Sequence, residues 1–217
     1  MRDAIMRSFS VFAPKALLGF VLGSSVFLAA GAVSAADRAR DADDSAKLLA
    51  EQVCPGCHGP HGVNTLQEIP NIAAQTDVYI AAKLWQFRSQ ALRKPEPHFD
   101  LLGAALMDDA TVESLARYFA GQPAPAPVAR DAAILETGSG IYNKGTDQGV
   151  APCATCHGTR AEGLGIVPRL AGQHARYVER QLRSIQLRLR NTRVMHGAVK
   201  DLSPEDIRAV AAYVQSR

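Results

Sequence analysis

Two stretches of the chain carry the same apolar spacing. Ile207, Val210, Ala211 and Val214 fall at i, i+3, i+4 and i+7, and Val112, Leu115, Ala116 and Phe119 repeat that order. Such a stripe marks a helix buried along one face. Ahead of the later stripe, Ser203-Pro204-Glu205-Asp206 supplies a serine N-cap, proline at the first helical position and an acid at the third. Asp108 or Asp109 caps the earlier one. Gly138 and Tyr142, four residues apart, predict a further short helix whose small residue permits a close helix crossing. No segment alternates apolar and polar residues convincingly at strand spacing. The pattern predicts an all-α fold.

The N-terminus follows a different pattern. Arg2, Arg7 and Lys15 precede Ala16–Val33, an apolar stretch without a charge, and Val33-Ser34-Ala35-Ala36 offers small residues to a signal peptidase. Residues 1–36 therefore read as an export signal peptide. About 18 apolar residues can also span a bilayer, so a retained segment would leave the protein associated with a membrane. In both cases everything after Ala36 is expected outside the cytoplasm.

The chain also repeats itself, which argues for two domains. Ile69-Pro70-Asn71-Ile72-Ala73 answers Val167-Pro168-Arg169-Leu170-Ala171. Gln75 answers Gln173, Tyr79 answers Tyr177, and Leu84 answers Leu182. Val112, Leu115 and Tyr118 answer Ile207, Val210 and Tyr213. Between the copies runs Gln122-Pro-Ala-Pro-Ala-Pro-Val-Ala129, whose alternating prolines favour a stiff, extended spacer. The expected domains are residues 43–122 and 131–217, joined by a Pro/Ala linker at 123–130.

Composition alters this picture in one respect. The sequence holds 24 Lys+Arg against 21 Asp+Glu. Residues 1–36 contain Arg2, Arg7, Lys15 and Asp3, so the remainder holds 21 against 20. That near-neutral balance suggests no nucleic-acid partner.

The candidate chemistry lies in the cysteines. Four cysteines in an exported chain usually mean two disulfides. Here they form Cys54-Pro55-Gly56-Cys57-His58-Gly59 and Cys153-Ala154-Thr155-Cys156-His157-Gly158, the same motif twice. Two thiols at i and i+3 can add to the two vinyl groups of a haem, and the next residue then places an imidazole beneath the iron. A zinc site would bring two Cys-x-x-Cys pairs within about 15–20 residues of each other, far closer than these stand. Two covalently bound haem c groups are expected, with His58 and His157 as axial ligands. A domain of roughly 80 residues has a thin core, and a covalently held haem supplies the apolar disc on which its helices pack. Neither domain is expected to fold stably without it.

These motifs, with the Pro-Asn-Ile-Ala and Pro-Arg-Leu-Ala segments, Ala171-Gly172-Gln173 and the tail Leu202–Tyr213, resemble the dihaem cytochromes of the c4 type. The resemblance covers nearly all the chain after the export signal and implies two tandem class I cytochrome c domains. It implies that the backbone carbonyls of Pro70 and Pro168 accept from the ring N–H of the two proximal histidines, orienting them. It also implies electron transfer in the periplasm, toward a terminal oxidase or as the electron-accepting subunit of a dehydrogenase.

Class I cytochromes take a methionine sulfur as the second axial ligand. Met195, seven residues before Leu202, stands at the family position for the second haem. The first domain departs from the pattern: counting back seven from Leu106 or Met107 gives Phe99 or Asp100. Met107 is the sole methionine left for the first haem, though its place at the start of the last helix suits a core role. His98, in a Pro95-Glu96-Pro97 loop beside the lost position, is the other candidate. If neither binds, the first iron is open to small molecules. His61 follows its motif too closely to reach round.

His174 and His196 read as surface or supporting residues, Trp85 as packing against the first haem. Arg176, Arg180, Arg183, Arg188, Arg190 and Arg193 read as a solvated face, from which one or two could meet haem propionates or an acidic partner. Three functions follow: a periplasmic electron carrier between redox partner proteins, a haem enzyme or sensor with an open first site, and a cytochrome subunit of a dehydrogenase complex.

Overall fold

The computed structural model describes residues 34–93, 107–190 and 192–217. Among them the chain is helical, and the one departure is an isolated bridge between Leu164 and Val167. Residues 34–217 form one unit, in which the same arrangement of helices occurs twice.

The first half opens with α1 (Ala35–Gln52), capped by the Ser34 side chain, which accepts from the Asp37 N–H. Most of α1 is charged, and the face it buries is made of Ala42, Ala46 and Ala50. Spaced four apart, these three methyl groups lie on one side and let α1 approach α4 (Asp109–Ala120). Helix α4 carries the earlier apolar stripe. Asp108 caps it by accepting from Thr111 N at 2.7 Å, and Val112, Leu115, Ala116 and Phe119 are all at most 2% exposed. Between them lie the single-turn α2 (Pro55–His58), a 3-10 turn at Pro60–Gly62, and α3 (Asp77–Arg93), which packs on α4.

The second half places α5 (Ala132–Lys144) across α9 (Pro204–Gln215), with α7 (Ala175–Gln186) also on α9 and α8 (Arg193–Val199) against α7. The capping box at the start of α9 is complete: the Ser203 hydroxyl oxygen accepts from Asp206 N, and the Asp206 carboxylate accepts from Ser203 N, both at 3.0 Å. The crossing of α5 and α9 is centred on Gly138. A Cβ there would stand 2.1 Å from the Ala209 carbonyl oxygen and 2.8 Å from Tyr213 Cβ. Tyr142, one turn on, is fully buried and tilted against the Tyr213 ring, centroids 5.3 Å apart. The single-turn α6 (Ala154–His157) completes this half.

Residues 123–130 have no regular structure, yet they do more than span a gap. Val128 N donates to the Gln215 carbonyl at 3.1 Å, the Arg130 guanidinium reaches the Gln215 side chain, and Pro125 is buried. The linker is laid along the end of α9.

Candidate haem sites and the interface between them

Each motif folds as one helical turn that starts at its first cysteine and ends at its histidine. The glycine that follows turns the chain back, with φ of 72° at Gly59 and 80° at Gly158, a backbone conformation that side chains other than glycine's rarely adopt. In the second half the turn is tied down from outside, because the Tyr142 hydroxyl donates to the Gly158 carbonyl at 2.7 Å. Cys54 and Cys153 lie against the two apolar cores, while Cys57 and Cys156 are exposed. Burial pushes the Cys54 thiol up to about 11, opposed by its backbone hydrogen bond and reinforced by the neighbouring Cys57.

Both histidines are held in the same way. His58 Nδ1 lies 2.9 Å from the Pro70 carbonyl oxygen, and His157 Nδ1 lies 2.9 Å from that of Pro168. A carbonyl can only accept, so Nδ1 carries the proton and Nε2 keeps its lone pair. Burial holds both imidazoles below their usual pKa, with the carbonyls acting the other way. The neutral form, the one a metal binds, is thereby favoured.

The surroundings suit a haem. Among the described residues no three His, Cys, Asp or Glu side chains gather as a cage for a bare ion. Iron already held in a porphyrin needs only an axial group on each face. Arg169 Nε, one residue beyond Pro168, is buried without a hydrogen-bond partner. A buried donor of that kind calls for an acceptor, and haem brings two propionates.

Of the residues expected as second axial ligands, Met195 sits within α8, half-buried against the second core. His196 Nδ1 lies 3.0 Å from the Ile185 carbonyl oxygen, which ties α8 to α7. Met107 packs against the first core, and its carbonyl accepts from the Arg88 guanidinium at 2.9 Å. His98 lies outside the described residues. Trp85 does not join the aliphatic core and is 37% exposed among the protein atoms.

What the sequence did not disclose is how the halves meet. The loops that follow the two motif turns dock on each other through side chains of which Asn71, Gln75, Gln173 and His174 are buried. Gln75 and Gln173 each grip the backbone of the opposite half, at Arg169 and Asn71 respectively, and Asn71 Nδ2 donates to the Gly172 carbonyl at 3.1 Å. Thr76 Oγ1 donates to the Gly165 carbonyl at 2.6 Å. His174, buried at the start of α7, pairs with Gln67 at 3.2 Å.

The arginine run is also partly absorbed here. Arg176 pairs with Glu68 at 2.8 Å, Arg180 donates to the Glu68 carbonyl, and Arg190 donates to the Tyr79 hydroxyl at 2.9 Å. Three of the six thus brace the first half, Arg176 and Arg180 from the exposed side of α7 and Arg190 from the turn that follows it.

With this geometry in hand, comparison with known proteins gives a consistent answer. The cytochrome c family model matches residues 135–217. Cytochrome c-552 of Acidithiobacillus ferridurans is 34% identical over 203 residues, 91% of this chain and 86% of that one. Cytochrome c4 of Thiocapsa roseopersicina is 33% identical over 173 residues, 76% and 88% of the two chains. Reduced cytochrome c4 from Pseudomonas stutzeri superposes with a TM-score of 0.69 at 27% identity, covering 82% of this chain and 97% of its own. The chain belongs to the dihaem cytochrome c4 family. It carries two covalently bound haem c groups and transfers electrons with redox partner proteins.

Proposed function

We propose that the chain is a periplasmic relay with two unequal centres, taking an electron at one haem and delivering it from the other. Bound haem iron supplies the one-electron chemistry. Cys54 and Cys57 would hold the first haem through thioether bonds and Cys153 and Cys156 the second, and the Nε2 atoms of His58 and His157, left available by the bonds at Nδ1, would bind the irons. Met195 would supply the other ligand to the iron of the second haem and His98 that to the first. Replacing a thioether by an imidazole lowers the potential, so the first haem is the weaker oxidant and electrons run from it to the second. A dehydrogenase suits the donor end and a terminal oxidase the acceptor end.

The observation that carries this reading is the docking of the two loops that hold the proximal histidines. Two haem sites built on loops that grip one another form one electron path, whereas independent carriers would need only a linker. The place of Met107 immediately before Asp108, the cap of α4, favours His98 over it.

Near-infrared magnetic circular dichroism of the oxidised holoprotein tests the ligand set. The expected spectrum has one His/Met and one His/His charge-transfer band, and His98→Ala removes the second. Two His/Met bands would transfer the role to Met107. A high-spin first haem in the unaltered protein would replace the relay by an open, reactive site.

A further inference from the structure

Gln75 and Gln173 are both buried, 8% and 7% exposed, and they make the same three hydrogen bonds. Gln75 Oε1 accepts from Arg169 N at 2.7 Å and Thr76 N at 3.0 Å, while its Nε2 donates to the Arg169 carbonyl at 3.0 Å. Gln173 Oε1 accepts from Asn71 N at 2.9 Å and His174 N at 3.0 Å, while its Nε2 donates to the Asn71 carbonyl at 2.8 Å. Every polar atom of each carboxamide is engaged.

The place of these bonds matters more than their number. Arg169 N–H and the Pro168 carbonyl are the two ends of one planar peptide unit, and that carbonyl accepts from His157 Nδ1 at 2.9 Å. Asn71 N–H and the Pro70 carbonyl form the matching unit, which accepts from His58 at 2.9 Å. Each glutamine therefore holds the far end of the peptide that orients the histidine of the other half. An acceptor on a peptide N–H adds negative charge to its carbonyl oxygen, since hydrogen bonds in series polarise one another. The clamp fixes where that carbonyl points and strengthens it as an acceptor.

We propose that Gln75 and Gln173 are crossed positioning residues, Gln75 acting on His157 and Gln173 on His58, so that each haem's potential depends on the docking of the opposite half. This rests on the reading of His58 and His157 as iron ligands. A stronger acceptor on Nδ1–H makes the imidazole a more basic ligand and favours the oxidised iron. Loss of a clamp therefore raises the potential of the haem across the interface.

The test uses the full-length holoprotein with 15N-labelled histidine and potentiometry resolved by haem. Gln75→Met fills the same space without the amide. It is expected to move the His157 Nδ1–H signal and to shift the second haem's redox equilibrium about threefold toward reduction, about 28 mV at 59 mV per decade. His58 and the first haem stay in place. Gln173→Met gives the mirror result. Gln75→Glu keeps an oxygen on Arg169 N–H, and as a charged acceptor is the stronger one, so it moves the same haem the opposite way. That variant also serves if methionine separates the halves. Arg190→Gln, which removes an interface bond away from both clamps, leaves both histidine signals unmoved. Shifts within the glutamine's own half, equal shifts of both haems, no shift, or the same pattern from Arg190→Gln would overturn the proposal. Failure of the underlying reading is separately visible, because the histidine rings of the oxidised wild-type protein would then lack the large paramagnetic shifts of iron ligands.

Discussion

Cys153→Ser combined with Cys156→Ser will leave a protein with one haem per chain and a second half that does not hold its fold. Helices α5, α7 and α9 have 13, 12 and 12 residues, lengths at which an isolated helix is marginal in water. They are held by their buried faces, and the second core draws Cys153, Ala154 and Met195 in from its edge. The motif turn and α8 are thus attached to this core by residues that also serve the haem. Without the covalent disc, roughly 80 residues must fold on a few aliphatic side chains, which a domain of that size does poorly. A pyridine haemochrome assay should give half the wild-type haem per chain. Far-ultraviolet circular dichroism should fall by roughly the helix content of residues 131–217, and proteolysis should begin there. Two haems, or an intact second half with one, would show that the motif is not what holds this domain.

Gly138→Leu will be as damaging, and Gly138→Ala will show why. The glycine sits where α5 crosses α9, and a Cβ would approach the Ala209 carbonyl oxygen to 2.1 Å. Backbone cannot turn aside as a side chain can, so the helices must separate and the buried Tyr142–Tyr213 contact opens with them. Overpacking of this kind costs about 1–3 kcal/mol, occasionally more, for a single methyl group. The gain in helix propensity from glycine to alanine, about 1 kcal/mol, offsets part of that. Gly138→Ala should lower the denaturant midpoint of the holoprotein by an amount worth about 1 kcal/mol. Gly140 lies in the same helix with nothing within 4 Å of an added Cβ, so Gly140→Ala should gain about 1 kcal/mol instead. Equal effects at the two positions would mean that the crossing is not as tight as 2.1 Å implies.

Gly138 also illustrates what a linear reading can reach. A small residue one turn from Tyr142 in a helical stretch pointed to a close crossing, and Ser203-Pro204-Glu205-Asp206 announced a helix start; both depend on neighbours within one or two turns. Helix α1 was harder. Its buried face is three alanines among charges, and alanine carries too little hydrophobic contrast to mark a stripe. The distance from Met195 to Leu202 says nothing of the short helix that holds it.

The interface was the least legible part. Gln75 and Gln173 stood out as repeat partners, but a glutamine that grips backbone 94 residues away has no local signature. The arginine run shows the same limit: Arg176 and Arg180 are exposed, as a solvated face requires, yet both also reach Glu68 of the other half. Arg176 and Arg190 differ from their neighbours only in what stands opposite them.

If the two haems work as one path, as proposed, intramolecular electron transfer will show it. A pulse that delivers less than one electron per molecule should first reduce both centres in proportion to their accessibility. The electron should then move from the first haem to the second at a rate independent of protein concentration. A redistribution whose rate rises in proportion to protein concentration would mean that electrons pass only between molecules, and would contradict the claim.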